Sequence, residues 1–272
     1  MRILLVNPNT SRAMTAKIAD AAREVAAPDV EIVAVCPDEG AAAIESHVDD
    51  VAAARAVIEL IEADLAVGGS DGYIVACFGD PGLDAARELV EVPVVGIAEA
   101  AMHVAALSGR SFAVVTTLAR TLGRADDLLA RYGMQRACVA LEATDIPVLD
   151  LEETSSLAVD TIADVAARAV ATARADVIVL GCAGMADLCA TVSQRVGVPV
   201  VDGVAAAVGL VAAMSRMGVG TSKRDEYAPP PRRPLPAVQM SSLKNVQHRN
   251  APRCHNGRSL ADTRAHHDGG RP

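Results

Sequence analysis

From Arg2 onward the chain alternates short unbroken apolar runs with longer amphipathic stretches, and this constrains its fold more than any other feature. Runs such as Ile3-Leu4-Leu5-Val6, Tyr73-Ile74-Val75-Ala76 and Val177-Ile178-Val179-Leu180 carry no polar alternation. A strand of that kind is buried on both faces, as in a parallel sheet covered by helices on each side. The pattern predicts strands at Arg2–Val6, Glu31–Val35, Gly72–Ala76, Val94–Gly96, Phe112–Thr116, Cys138–Leu141, Val177–Leu180 and Val200–Val201. Between them it predicts helices over Thr15–Val25, Val48–Leu65, Leu83–Leu89, Glu99–Leu107, Ala125–Tyr132, Leu157–Arg174, Ala186–Val196 and Val204–Met217. Thr10 or Ser11 is available to cap the first helix.

The pattern repeats. Tyr73-Ile74-Val75-Ala76-Cys77-Phe78-Gly79, a helix and Val92-Pro93-Val94-Val95-Gly96 are echoed by Val177-Ile178-Val179-Leu180-Gly181-Cys182-Ala183-Gly184, a helix and Val198-Pro199-Val200-Val201-Asp202-Gly203. Cys77 precedes Pro93 by 16 residues and Cys182 precedes Pro199 by 17. Either any two strand–helix–strand units look alike, or the chain holds two related lobes. In the second case each lobe places a Cys at the carboxyl end of a strand, the edge where open α/β sheets bind ligands.

A chain of 272 residues, 51% hydrophobic and 22% charged, can bury a core without disulfides. Collagen, coiled coil and wholesale disorder are excluded. With three Tyr, two Phe and no Trp, the core is aliphatic and stacking platforms for bases are lacking. The net charge of -9 also argues against nucleic acid. Residues 1–227 hold 17 basic and 32 acidic residues, whereas 228–272 hold 8 basic and 2 acidic. That last segment, with Pro229-Pro230-Pro231, Pro234 and Pro236, has no hydrophobic period and is expected to be a disordered basic tail without a role in the site. A nucleic-acid or membrane arm and a reading-frame accident are the rival readings of it. No charged, then apolar leader opens the chain and no stretch of about 18 apolar residues occurs, so a soluble, cytoplasmic protein with no membrane partner is expected. The six Cys form no zinc-type pairs and are expected as free thiols.

Outside the tail the only His are His47 and His103. His103 reads as a packing or surface residue, and the Glu45-Ser46-His47 cluster as a helix cap. There is no phosphate-binding glycine loop and no G-x-S-x-G elbow. Two thiols stand out instead. Cys77 precedes Phe78-Gly79-Asp80-Pro81-Gly82, where Asp80 is expected to cap the next helix and Pro81 to open it. Cys182 lies in Gly181-Cys182-Ala183-Gly184. A thiol at a helix start is expected to have its pKa lowered toward neutrality. The glycines let a ligand approach the backbone. Cys36, Cys138 and Cys189 read as small buried hydrophobes. Two matched thiols suit racemisation at a carbon acid, which needs a base on one face and an acid on the other. N–H donors at helix starts would hold the enolate oxygen.

Together Asn7-Pro8-Asn9-Thr10-Ser11, Cys77-Phe78-Gly79-Asp80-Pro81-Gly82 and Gly181-Cys182-Ala183-Gly184-Met185 resemble the hydantoin racemases, a group of the aspartate/glutamate racemase superfamily that includes allantoin racemases. The resemblance runs from Met1 to about Tyr227 and covers none of the tail. It implies an α/β fold of two pseudo-symmetric lobes, each a mainly parallel sheet flanked by helices, with the active site between them. The lobes are expected at 1–97 plus 204–227, and at 98–203. It implies Cys77 and Cys182 as the acid/base pair, a pocket lined by Asn9, Ile44, Phe78, Gly79, Thr116, Thr117 and Gly184, no metal or other cofactor, and a homo-oligomer. Read by themselves, Asn9 is also a plain turn residue, and Thr116-Thr117 also ordinary strand-end residues.

The function expected is racemisation at C5 of 5-monosubstituted hydantoins or allantoin. The absence of a charged cluster in the loops suits a neutral cyclic ureide. A decarboxylase or cis–trans isomerase of the same superfamily is the first alternative, and a non-catalytic two-lobed binding protein the second. A decarboxylase needs only one Cys to protonate its enolate, and a binding protein needs neither.

Overall fold

The first half of the chain builds a sheet from β1 (Arg2–Val6), β2 (Glu31–Val35), β3 (Gly72–Val75) and β4 (Val94–Gly96). Its strands are all parallel, in the order β2-β1-β3-β4. Three helices connect them: α1 (Arg12–Val25), α2 (His47–Leu65) and α3 (Leu83–Leu89). The second half repeats the plan with β5 (Phe112–Thr116), β6 (Cys138–Ala143), β7 (Val177–Leu180) and β8 (Val200–Asp202) in the order β6-β5-β7-β8, again all parallel. Its connecting helices are α5 (Leu122–Arg131), α6 (Ser156–Ala173) and α7 (Cys189–Val196). β3 and β7 are thus counterparts, as the sequence echo implied. The computed structural model describes residues 1–153 and 155–231. Most of the expected basic tail, from residue 232, lies outside the described residues.

Two helices tie the sheets together. α4 (Ile97–Ser108) leaves β4 and packs on β7 and β8; α8 (Gly203–Arg216) leaves β8 and packs on β3, β4, α1 and α4. One apolar cluster therefore runs through both sheets, including Ile3, Leu5, Ile74, Phe112, Val114, Ile178 and Leu180. The opposite face of the first sheet, Leu4, Val6, Tyr73 and Val75, packs on Val57 and Ile61 of α2 and Leu83 of α3. Alternate strand residues point to opposite faces, so burial of both sets explains the unbroken apolar runs. All of Met1–Pro230 forms one compact unit. Among the described residues no helix is long and apolar enough to cross a membrane.

The caps of α1 and α2 fall where the sequence put them, and two later helix starts do not. Ser11 caps α1, its hydroxyl accepting from the Met14 N–H at 2.9 Å, and Ser46 caps α2 through the Asp49 N–H. The helix expected over Ala186–Val196 is shorter: Ala183–Leu188 winds as a 3-10 helix and α7 begins at Cys189. Asp80 does not cap α3. That helix starts at Leu83 behind Gly82, which has φ 71°. The Asp80 carboxylate instead accepts from the Ala98 and Glu99 N–H groups of α4, at 3.0 and 2.9 Å. The cap position of α4 is Gly96, which has no side chain to serve those donors.

Candidate active site

β3 and β7 end two residues before Cys77 and Cys182, and the two sheets bring these thiols to the same cavity. Every expected site residue lines it: Asn9, Ile44, Cys77, Phe78, Gly79, Thr116, Thr117, Cys182 and Gly184. The cavity volume is about 70 Å³. A single water needs roughly 10–15 Å³ on the same measure, so the space suits a small molecule and not a polymer.

The two thiols sit in matched turns. The Asp80 N–H donates to the Cys77 carbonyl at 2.9 Å, and the Met185 N–H donates to the Cys182 carbonyl at 3.0 Å. Within each turn a glycine N–H, from Gly79 or Gly184, favours the thiolate. Burial nevertheless dominates, pushing Cys77 up to about 12 and Cys182 up to about 11. The glycine N–H groups, Arg124 near Cys77 and Lys17 near Cys182 pull in the opposite direction without prevailing. The expected lowering toward neutrality is therefore wrong for this state of the protein. The helix-start argument fails locally: α3 begins six residues after Cys77, and a 3-10 helix follows Cys182. What desolvation removes, one backbone N–H and one nearby cation for each thiol do not restore.

The remaining side chains fix the walls. Asn7 Nδ2 donates to Asn9 Oδ1 at 2.8 Å and to Thr15 Oγ1 at 2.9 Å, while the Ser11 N–H also donates to Asn9 Oδ1. These bonds hold the Asn9 amide in one plane. The Thr116 hydroxyl donates to the Gly181 carbonyl at 2.9 Å, so its proton serves the turn that carries Cys182. Gly79 and Gly184 admit neighbours as well as ligand. A Cβ at Gly79 would lie 2.7 Å from Arg124 Nη1, and one at Gly184 would lie 3.0 Å from Met14 Sδ.

Sequence reasoning missed Asn7, Met14, Thr121, Arg124 and Val148, which also line the cavity. Asn7 was within the quoted motif. Arg124 and Val148 belong to segments with no motif, and only folding brings them to the wall. Glu45 bridges two such segments, its Oε1 accepting from the Val148 N–H at 2.9 Å beside Ile44. Of the two core His residues, His47 opens α2. His103 is exposed and its Nδ1 is 2.7 Å from the Glu99 carbonyl. Neither lines the cavity. Cys138 and Cys189 are also raised by burial and lie outside it. Among the described residues no group of three or more His, Cys, Asp or Glu side chains is placed to hold a metal ion.

The chain is similar to known proteins. A family model described as Asp/Glu/Hydantoin racemase matches residues 3–211. A hydantoin racemase from Pseudomonas sp. (strain NS671) is 41% identical over 230 residues, covering 85% of this chain and 92% of that protein. One from Paenarthrobacter aurescens is 38% identical, covering 85% and 98%. Among solved structures, allantoin racemase from Klebsiella pneumoniae superposes with a TM-score of 0.84 at 48% identity, covering 89% of this chain and 98% of that one. Arylmalonate decarboxylase, at 20% identity and a TM-score of 0.56, shares the fold alone.

Proposed function

Since the chain belongs to the Asp/Glu/hydantoin racemase family, we propose that it is an isomerase that racemises 5-monosubstituted hydantoins or allantoin. The lobes in this reading are 1–97 with 204–227, and 98–203, with the substrate between them. The observation that carries the reading is the arrival of Cys77 and Cys182, from counterpart strands of two like sheets, at one small cavity.

The chemistry follows from that placement. One thiolate takes the C5 hydrogen as a proton, and the C–H electron pair moves into the adjacent ring carbonyl as an enolate. The opposite thiol then gives its proton to the other face of C5. The first Cys ends as thiol and the second as thiolate, and the opposite enantiomer runs the steps in reverse. Charge on Cys182 raises Cys77, which favours one thiolate at a time over two. The seats of Asn9, Thr117 and the backbone N–H groups of the two turns suit the polar edge of a neutral ureide. Ile44, Phe78 and Val148 suit its substituent. Proton transfer by these thiols needs no metal or other cofactor. The reading includes a homo-oligomer, as the family resemblance implies, and a cytoplasmic location.

The decarboxylase reading uses a single proton donor and leaves the second cavity thiol without work. The test is incubation with single-enantiomer hydantoins and allantoin in heavy water, following optical rotation and deuterium uptake together. Loss of rotation with one deuterium entering at C5 is expected. Release of carbon dioxide from a malonate-type acid, with no loss of rotation from any ureide, would overturn it.

A further inference from the structure

The two thiol turns close with the same hydrogen bond and differ in two side chains, Phe78 against Ala183 and Asp80 against Met185. Three residues beyond each Cys, the residue whose N–H closes the turn is Asp80 in the first and Met185 in the second. The difference is matched at the helices that join the sheets. At the end of β8, Asp202 caps α8 from its own chain position, accepting from Val204 and Ala205 N–H at 3.0 and 2.8 Å. The equivalent residue at the end of β4 is Gly96. Its place is filled from the Cys77 turn: a Cβ on Gly96 would lie 2.2 Å from Asp80 Cγ. A carboxylate that belongs to the helix in one half belongs to the thiol turn in the other.

Asp80 is 3% exposed, and all three of its partners come from other segments. Oδ1 accepts from Ala98; Oδ2 accepts from Glu99 and from the Tyr132 hydroxyl, at 2.7 Å, at the end of α5. Its backbone has φ 45°, a left-handed conformation that Asp and Asn tolerate better than other side chains. The residue before it, Gly79, supplies the N–H that favours the Cys77 thiolate.

We propose that Asp80 is a positioning residue for Cys77, tying its turn to α4 and to Tyr132 through a buried carboxylate that has no counterpart three residues beyond Cys182. The inference rests on the reading of Cys77 as one of the two proton carriers. It makes the two thiols unequal: the Cys77 turn is held to the helix that crosses between the sheets, whereas the position equivalent to Asp80 is the buried, apolar Met185 and the Cys182 turn is held by the Thr116 hydroxyl at the Gly181 carbonyl.

The test labels the parent, Asp80→Asn and Tyr132→Phe with iodoacetamide, reading each thiol by mass. Asn keeps the volume and the backbone preference. Its amide group turns a donor toward groups that already donate. Asp80→Asn is expected to speed Cys77 labelling relative to Cys182 on the order of tenfold, the equivalent of one unit in thiol ionisation. Tyr132→Phe should shift the ratio in the same direction by less. Ile162→Ala, a core truncation in α6, should lower Tm and leave the ratio unchanged. In the racemase assay Asp80→Asn should lower kcat on the order of tenfold to a hundredfold with KM near the parent value. A folded Asp80→Asn with the parent labelling ratio overturns the proposal. If that variant does not fold, an unchanged ratio in Tyr132→Phe overturns it. Labelling needs no substrate, so an inactive parent would count against the proposed reaction and leave this comparison standing.

Discussion

Arg124 Nη1 stands 3.2 Å from Asp50 Oδ1, an ion pair that joins α5 of the second half to α2 of the first beside the cavity. The Asp50 oxygen is buried and accepts no hydrogen bond, so the guanidinium charge is its main compensation. Burial pushes the Asp50 carboxyl up, and Arg124 and His47 draw it down. Arg124→Met should therefore cost about 1–3 kcal/mol, the cost of leaving a buried acceptor uncompensated. Asp50→Asn in the same chain should recover part of that loss. Urea unfolding of the two single variants and the double variant measures the coupling, and a coupling of zero would show that the pair holds nothing.

The thiols should be slow to react in the absence of substrate. With Cys77 near 12 and Cys182 near 11, both are protonated at neutral pH, and iodoacetamide labelling should climb steeply only above pH 9. Cys182 should lead Cys77. Fast labelling of either at pH 7, comparable to free cysteine, would mean that burial does not control these sulfurs.

Each thiol should be needed, and the two variants should differ. Cys77→Ser and Cys182→Ser should each abolish racemisation, since each removes the proton carrier of one face. The remaining thiol can still exchange the hydrogen that faces it, so deuterium enters one enantiomer without inversion. The two variants should prefer opposite enantiomers, after subtraction of the spontaneous exchange of hydantoins. If both exchange the same enantiomer, the two-face assignment is wrong.

Asp80 also leaves a signature in stability against pH. Burial raises its carboxyl to about 6, outweighing the Tyr132, Ala98 and Glu99 donors, with the Glu99 charge pushing the same way. The folded chain then holds a proton that the unfolded chain releases near 4. That contribution is fully present below about pH 4 and is lost as pH rises through about 6. The stability difference between parent and Asp80→Asn should thus shrink from pH 4 to pH 7 by on the order of 1–3 kcal/mol. A difference that stays flat across that window would place the Asp80 titration elsewhere.

The element order, the parallel sheets and the two cysteine turns were legible in the sequence because each depends on neighbours within a few residues. An unbroken apolar run means a strand covered on both faces, and a glycine-flanked Cys after such a run lies at the strand's carboxyl end. Tertiary structure alone decided what those residues experience. Asp80 looked like a cap for the helix just after it, yet its donors lie 18, 19 and 52 residues away. Arg124 reaches the cavity wall from a segment without a motif. The thiols looked acidic from their local turns, but their ionisation is set by how completely both halves of the chain exclude water around them, and burial of that kind is a sum over distant residues that no local pattern contains.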